Sequence, residues 1–181
     1  ARRGGPRAVS RWAVILAGGV GSRFWPLSTP ERPKQLLPLA TSEPLLVDAV
    51  SRLTPLVPPE RILVITNRSL VDAVRAALPV VPADNVIGEP RAAHTGPALT
   101  WAACEIERRD HDDPVMLCVH ADWSIGDAAA FRDTLSRAAA AAARHEALVT
   151  VGIVPSRPDP GFGYIQPGEA IGSTIGEMRR V

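Results

Sequence analysis

Short apolar runs alternate along this chain with stretches in which apolar residues recur every third or fourth position. The runs are 13–16 (AVIL), 61–66 (RILVIT), 85–88 (NVIG), 114–119 (PVMLCV) and 147–154 (ALVTVGIV). Their length and β-branched content predict five strands, most of them buried on both faces. Between them, 44–56 has Leu45, Leu46, Ala49, Val50 and Leu53 at helical spacing. A second helix is expected over 70–78 with Ser69 as its N-cap, because a serine oxygen can accept a free first-turn N–H. Thr95 is expected to cap a third helix over 96–109, with Pro97 tolerated in the first turn. Asp127 is expected to cap a fourth, ending near His145, with Phe131, Leu135 and Ala138 on one face. Strands alternating with helices predict an α/β three-layer sandwich with a mostly parallel central sheet. The tail, 155–181, is rich in Gly and Pro, with Tyr164-Ile165 and Thr174-Ile175 as candidate short strands.

The chemistry gathers where strands end. After the first run come Gly18, Gly19 and Gly21, then Ser22 and Arg23, then Lys34 beyond a loop punctuated by Pro26, Pro30 and Pro33. Glycines after a strand let the chain turn sharply and bring bare N–H groups close to an anion. Arg23 adds a planar cationic fork suited to phosphate oxygens, and Lys34 a second cation. Phe24 stands where a dinucleotide-binding G-x-G-x-x-G needs its third glycine, and no Gly-Lys-Ser/Thr follows as a P-loop requires. Glu89-Pro90 and His120-Ala121-Asp122 also follow strands. In a parallel α/β sheet, ligands sit at the carboxyl ends of the strands, so all three loops can meet at one rim. Asp122 is a candidate divalent-cation ligand, since Mg²⁺ favours one or two carboxylates plus phosphate oxygens. On position alone, a cap or turn role at a strand end is the favoured reading of Asp122.

Composition narrows the function classes. A net charge of +1 over 181 residues gives no field directed at nucleic acid or an anionic membrane. No apolar run reaches the roughly 18 residues of a membrane span, and no hydrophobic signal region follows the early arginines. Residues 1–11, with four arginines among Gly and Pro, are expected to be a disordered leader, and 12–181 one domain. Cys104 and Cys118 lack zinc spacing and are expected to be buried, reduced thiols of a cytoplasmic protein. Lys34 is the only lysine in the chain, and it falls inside the candidate phosphate loop. Trp101 is expected in the core, with Trp25 and Trp123 walling the site.

The string 16–39, LAGGVGSRFWPLSTPERPKQLLPL, resembles the signature of sugar-nucleotide pyrophosphorylases (nucleotidyltransferases), LAGG-x-G-x-R followed by PL and PK. Its Trp25-Pro26-Leu27-Ser28 and Pro33-Lys34-Gln35 variants are similar to the mannose-1-phosphate guanylyltransferase branch. Three further segments match in family order. Glu89-Pro90 through Ala98 resembles EP-x-x-x-N-T-A-P-A, with His94 and Gly96 in place of Asn and Ala. Asp122 falls at the family's metal aspartate, although His120 and Trp123 replace the Pro and His of L-P-x-D-H. Segment 152–165, GIVPSRPDPGFGYI, resembles the sugar-pocket segment, with Asp159 in place of Glu.

The resemblance covers about 14–165. It implies a Rossmann-like nucleotide-diphospho-sugar transferase fold, GTP and mannose 1-phosphate as substrates, and Mg²⁺ or another divalent cation as cofactor. By the same resemblance, Leu16, Ala17, Gly18, Gly19, Gly21, Ser22, Arg23, Glu89 and Thr95 would bind nucleotide. Gly161, Gly163 and Tyr164 would bind sugar, and Arg23, Lys34 and Asp122 would be catalytic. The full-length form would be a cytoplasmic homo-oligomer without nucleic-acid or membrane partners. The family's downstream E-K-P lysine and second acidic metal ligand do not occur in the sequence. The domain is therefore expected to be cut short on its C-terminal side, binding GTP without full turnover. Two rivals remain: a non-catalytic sugar-nucleotide-binding regulatory subunit, for which His94, His120 and Trp123 speak, and transfer of another base or to another hexose 1-phosphate. A dehydrogenase is disfavoured by the missing third glycine.

Overall fold

A computed structural model of the chain describes residues 10–19, 24–30, 32–91, 94–171 and 178–181. Four of the five predicted strands form one sheet: β1 (Arg11–Ala17), β2 (Ile62–Asn67), β3 (Val86–Glu89) and β4 (Val115–His120). Their order is β3-β2-β1-β4, and every pairing is parallel. Between them run α1 (Leu45–Leu53), α2 (Val71–Ala77) and α3 (Thr95–Arg109), and α4 (Ala128–His145) follows β4. A short antiparallel pair, β5 (Ala170–Ile171) and β6 (Met178–Arg179), lies apart from the main sheet.

The alternation of side chains along β1 divides the core. Ala13, Ile15 and Ala17 point into a large cluster with Leu46 and Leu53 of α1, Val74 of α2 and Leu135 of α4. Trp12 and Val14 point the other way, with Leu63 and Ile65 of β2, onto Ala98, Ala102 and Ile106 of α3. The result is a three-layer α/β sandwich, Rossmann-like, with α3 alone covering one face among the described helices. Small residues on α3 let that helix sit close to the sheet. Gly88 serves a similar need on β3: a Cβ there would stand 2.6 Å from Val71 Cγ2 and 3.0 Å from the Arg68 Cα.

Several local expectations are corrected. Segment 147–154 is not a strand: it has no ladder partner among the described residues, and Ile153 and Val154 are 89% and 90% exposed. Its apolar character is real, but a strand exists only where a neighbour takes its N–H and C=O groups. Tyr164-Ile165 is likewise not a strand, while Thr174-Ile175 lies outside the described residues. Ser69 does not cap α2; it lies within a 3₁₀ turn, Arg68–Leu70, that leads into the helix. Thr95 is the first residue of α3 rather than its cap, a position taken by His94. Trp101 is 40% exposed, and Cys104 is exposed rather than buried, because α3 turns Ala98, Ala102 and Ile106 inward. Asp127 does cap α4, its Oδ1 accepting from the N–H groups of Ala129 and Ala130 at 3.0 and 2.9 Å. β1 begins at Arg11, and residues 1–9 lie outside the described part. Among the described residues, no helix is long and apolar enough to cross a membrane.

Candidate active site

Strand order reverses at β1: β2 and β3 lie on one side of it and β4 on the other. The loop leaving β1 runs to α1 on one face of the sheet and the loop leaving β3 runs to α3 on the other, and the crevice between them lies at the carboxyl ends, where open α/β sheets bind ligands. A cavity of about 510 Å³ occupies that place. Leu16, Ala17, Gly18 and Gly19 enter it from the end of β1, and Lys34 with Gln35 from the turn that follows. Glu89 comes from the end of β3, His94, Thr95 and Ala98 from the start of α3, and His120, Ala121 and Asp122 from the end of β4. Eight of the residues expected in the site thus share one cavity: Leu16, Ala17, Gly18, Gly19, Lys34, Glu89, Thr95 and Asp122.

The take-off of the glycine loop is fixed by a buried polar knot. The Ala17 carbonyl accepts from Gln35 Nε2 at 2.7 Å and from Thr66 Oγ1 at 3.0 Å. Gln35 and Thr66 are both almost fully buried. One carbonyl thereby ties the lysine turn to the strand that launches Gly18 and Gly19. Sequence reasoning did not single out Gln35 as a site residue; a polar side chain directly after the motif lysine was the available signal. Lys34 Nζ lies 5.7 Å from the centroid of the Phe24 ring, so the residue replacing the third glycine meets the cation instead.

Across the cavity, Lys34 forms an ion pair with Asp122. The loop carrying Asp122 is held from behind, where Arg52 Nη2 of α1 donates to the Trp123 carbonyl at 2.9 Å. The Trp123 ring packs edge-on against Phe131 of α4, with ring centroids 6.5 Å apart. The His120 ring packs against Trp123, with centroids 5.3 Å apart. Neither tryptophan expected to wall the site lines the cavity: Trp123 stands behind His120, and Trp25 is 77% exposed.

The start of α3 adds positive potential, since its first N–H groups lack intrahelical partners and carry the positive end of the helix dipole. His94, just before it, has φ 65° and ψ −177°, a backbone region that glycine occupies and a side chain strains. Such strain concentrates at functional sites, and His94 lines the cavity.

The Glu89 side chain has no hydrogen bond or ion pair with another described residue, and burial pushes its carboxyl up from the ordinary 4.5. A Cβ on Gly18 would stand 3.3 Å from Glu89 Oε2, so strand end and carboxylate nearly touch. An ionised carboxylate accepts hydrogen bonds only, which suits it to N–H or O–H donors of a ligand. With its pKa raised on folding, Glu89 binds its proton more tightly in the native state. Stability is lost as pH rises from 4.5 through the native value. Glu89→Gln is therefore expected to raise Tm modestly at neutral pH and to leave it unchanged below 4.5, as thermal melts across pH will read.

The donor set fits a divalent cation in one mode. No group of three or more His, Cys, Asp or Glu side chains among the described residues could hold a metal by itself. Asp122 fits the arrangement in which one carboxylate and phosphate oxygens share the ion. Gly21, Ser22 and Arg23 lie outside the described residues. Gly161, Gly163 and Tyr164 are not in this cavity; Tyr164 instead lines a hollow formed by residues 155–160.

These features are those of an α/β domain with a polar cavity at the carboxyl ends of its strands. The chain belongs to the nucleotidyl transferase family, which it matches over residues 12–178. Among its relatives, a mannose-1-phosphate guanylyltransferase of Salmonella muenchen is 41% identical over 162 residues, 88% of this chain and 34% of that protein. One of Escherichia coli is 39% identical over 159 residues, 87% of this chain and 33% of that protein. A solved structure from Thermus thermophilus, described as a mannose-1-phosphate geranyltransferase, is similar with a TM-score of 0.65 and 35% identity. The match covers 74% of this chain and 38% of that one. The chain spans about a third of the length of the curated relatives it matches.

Proposed function

We propose that this chain forms the nucleotide-binding part of a mannose-1-phosphate guanylyltransferase, which transfers GMP from GTP to mannose 1-phosphate and gives GDP-mannose and pyrophosphate. The observation that carries the proposal is the meeting of Lys34 and Asp122 at the head of one cavity, between the glycine turn after β1 and the start of α3. That is a cation and a metal-competent carboxylate in a cavity that a helix N-terminus also lines, the parts needed to hold a triphosphate.

In the proposed reaction an oxygen of the sugar phosphate attacks the α-phosphorus, and pyrophosphate leaves in line; no covalent protein intermediate is required. Catalysis is positioning and charge neutralisation. The amides of residues 18–21, with Ser22, hold the nucleotide phosphates. Lys34 bridges phosphate oxygens near the reacting centre, and Arg23 stabilises the leaving pyrophosphate. Asp122 would hold Mg²⁺, which when bound would neutralise charge on the triphosphate. Glu89 and Thr95 contact the nucleotide, and Gly161, Gly163 and Tyr164 the sugar. The same reading carries a cytoplasmic location and a homo-oligomeric full-length form.

Thermal-shift titration with GTP, ATP, UTP and dTTP, each with and without Mg²⁺, tests the nucleotide part of the proposal. A ligand at about 100 times its Kd stabilises by about 2.7 kcal/mol, or roughly 5–10 °C in a chain of this size. The largest shift is expected with GTP and Mg²⁺ together. A larger shift with another nucleotide would keep the site and change the substrate; no shift with any of them would count against the chain as a nucleotide-binding unit.

A further inference from the structure

Two opposite charges of the cavity, those of Lys34 and Asp122, are already paired with each other. Lys34 Nζ rests on Asp122 Oδ2, with the two side chains 24% and 32% exposed, so the contact is open to solvent and to an incoming ligand. That carboxylate oxygen is one a divalent cation would need. While the ammonium holds it, a metal ion approaching Asp122 meets a like charge at close range and finds no phosphate oxygens to complete its shell.

The backbone on both sides is anchored. Gln35, next to Lys34, is buried and bonded to the Ala17 carbonyl at 2.7 Å. Trp123, next to Asp122, has its carbonyl held by Arg52 at 2.9 Å. The part free to move is the lysine side chain, a compact charge on a flexible four-carbon stem. Its alternative partners are the oxygens of a polyanion entering the cavity.

We infer that Lys34 makes the cation seat at Asp122 conditional on nucleotide: the ammonium occupies the carboxylate in the free protein, and a divalent cation binds there only when a triphosphate draws Lys34 onto its own oxygens. The inference rests on the proposed nucleotidyl-transfer site. It makes Lys34 a specificity determinant that selects the metal–nucleotide pair over free metal. Metal and nucleotide then strengthen each other's binding by the same factor, since linkage between two sites is reciprocal.

Mn²⁺ serves as the probe, its free concentration read by electron paramagnetic resonance in the presence of the 181-residue chain. The wild type is expected to bind Mn²⁺ weakly alone and tightly with GTP. Lys34→Gln is expected to bind Mn²⁺ without nucleotide about tenfold more tightly than the wild type, within the usual range of coupling between sites. Lys34→Arg, which keeps the charge, is expected to bind as weakly as the wild type. Adding Asp122→Asn to Lys34→Gln is expected to abolish the gain. Lys34→Met replaces Lys34→Gln if the latter does not fold. If the wild type holds Mn²⁺ with GTP but the neutral variant binds Mn²⁺ alone no more tightly than the wild type, the inference is overturned and the nucleotide site stands. A gain that survives Asp122→Asn places the metal elsewhere and also overturns it. A wild type that binds no Mn²⁺ with GTP removes both the inference and the site beneath it.

Discussion

Lys34→Ala is expected to slow GMP transfer by about 10²–10³-fold or more while leaving the fold in place. The size follows from where the charge sits. A cation preorganised at a reacting phosphate acts most strongly as negative charge develops, and losing one such group costs about this factor in comparable sites. The stability cost is small, because the Lys34–Asp122 pair is partly exposed and such pairs contribute about 0–1 kcal/mol. Rate and stability therefore separate: a structural lysine would show the reverse pattern, with Tm down and rate kept. Pyrophosphate release at saturating GTP and mannose 1-phosphate reads the rate, in a polypeptide that carries this sequence and supports turnover. Asp122→Asn is expected to fall in the same range. The double variant should lose far less than the product of the two, because both groups act on one triphosphate. A rate for Lys34→Ala within about tenfold of the wild type would remove Lys34 from the catalytic group.

The sequence made the frame legible because the frame is local. Runs such as 61–66 need no more than their own residues to announce a buried strand, and β2 spans Ile62–Asn67, almost the same stretch. The glycines after β1, the lone lysine and the aspartate after β4 were readable because strand ends in an α/β sheet converge, and the structure brings Gly18, Lys34 and Asp122 to one cavity. What was missed depends on partners distant in the chain. Segment 147–154 has the composition of a strand but finds no ladder among the described residues. Trp101 has helical spacing toward a core, yet the close approach of α3 to the sheet admits Ala98 and Ala102 there and leaves the indole outside. Gln35 looked like a polar loop residue until the Ala17 carbonyl supplied its partner. Phe24 read as a defect in a glycine motif, and its approach to Lys34, ten residues on, shows only in the folded chain.

Ile15→Ala should remove about 2–5 kcal/mol of stability, a large share of the roughly 5–15 kcal/mol typical of a domain. Ile15 lies in the middle of β1, an inner strand with a parallel neighbour on each side, opposite Val64 and Val119. Its side chain is fully buried in the cluster that joins α1, α2 and α4 to the sheet. Truncation deletes three carbons at about 0.8 kcal/mol each and leaves a cavity that three helices and a sheet cannot close without moving together. Tm is expected to fall by about 4–20 °C, at roughly 2–4 °C per kcal/mol in a chain of this size. Val14→Ala, one residue earlier, should cost less: it removes fewer carbons and faces the thinner layer where small residues of α3 already lie close. Urea unfolding followed by circular dichroism measures both. A lower midpoint with an unchanged slope for Ile15→Ala reports lost packing around an intact strand. Because Ile15 is two residues before Ala17, whose carbonyl holds Gln35 and Thr66, the same variant should also weaken the nucleotide-induced thermal shift. If stability falls while that shift is kept in full, the glycine turn is held by the polar knot at Ala17 alone and does not depend on the packing beneath it.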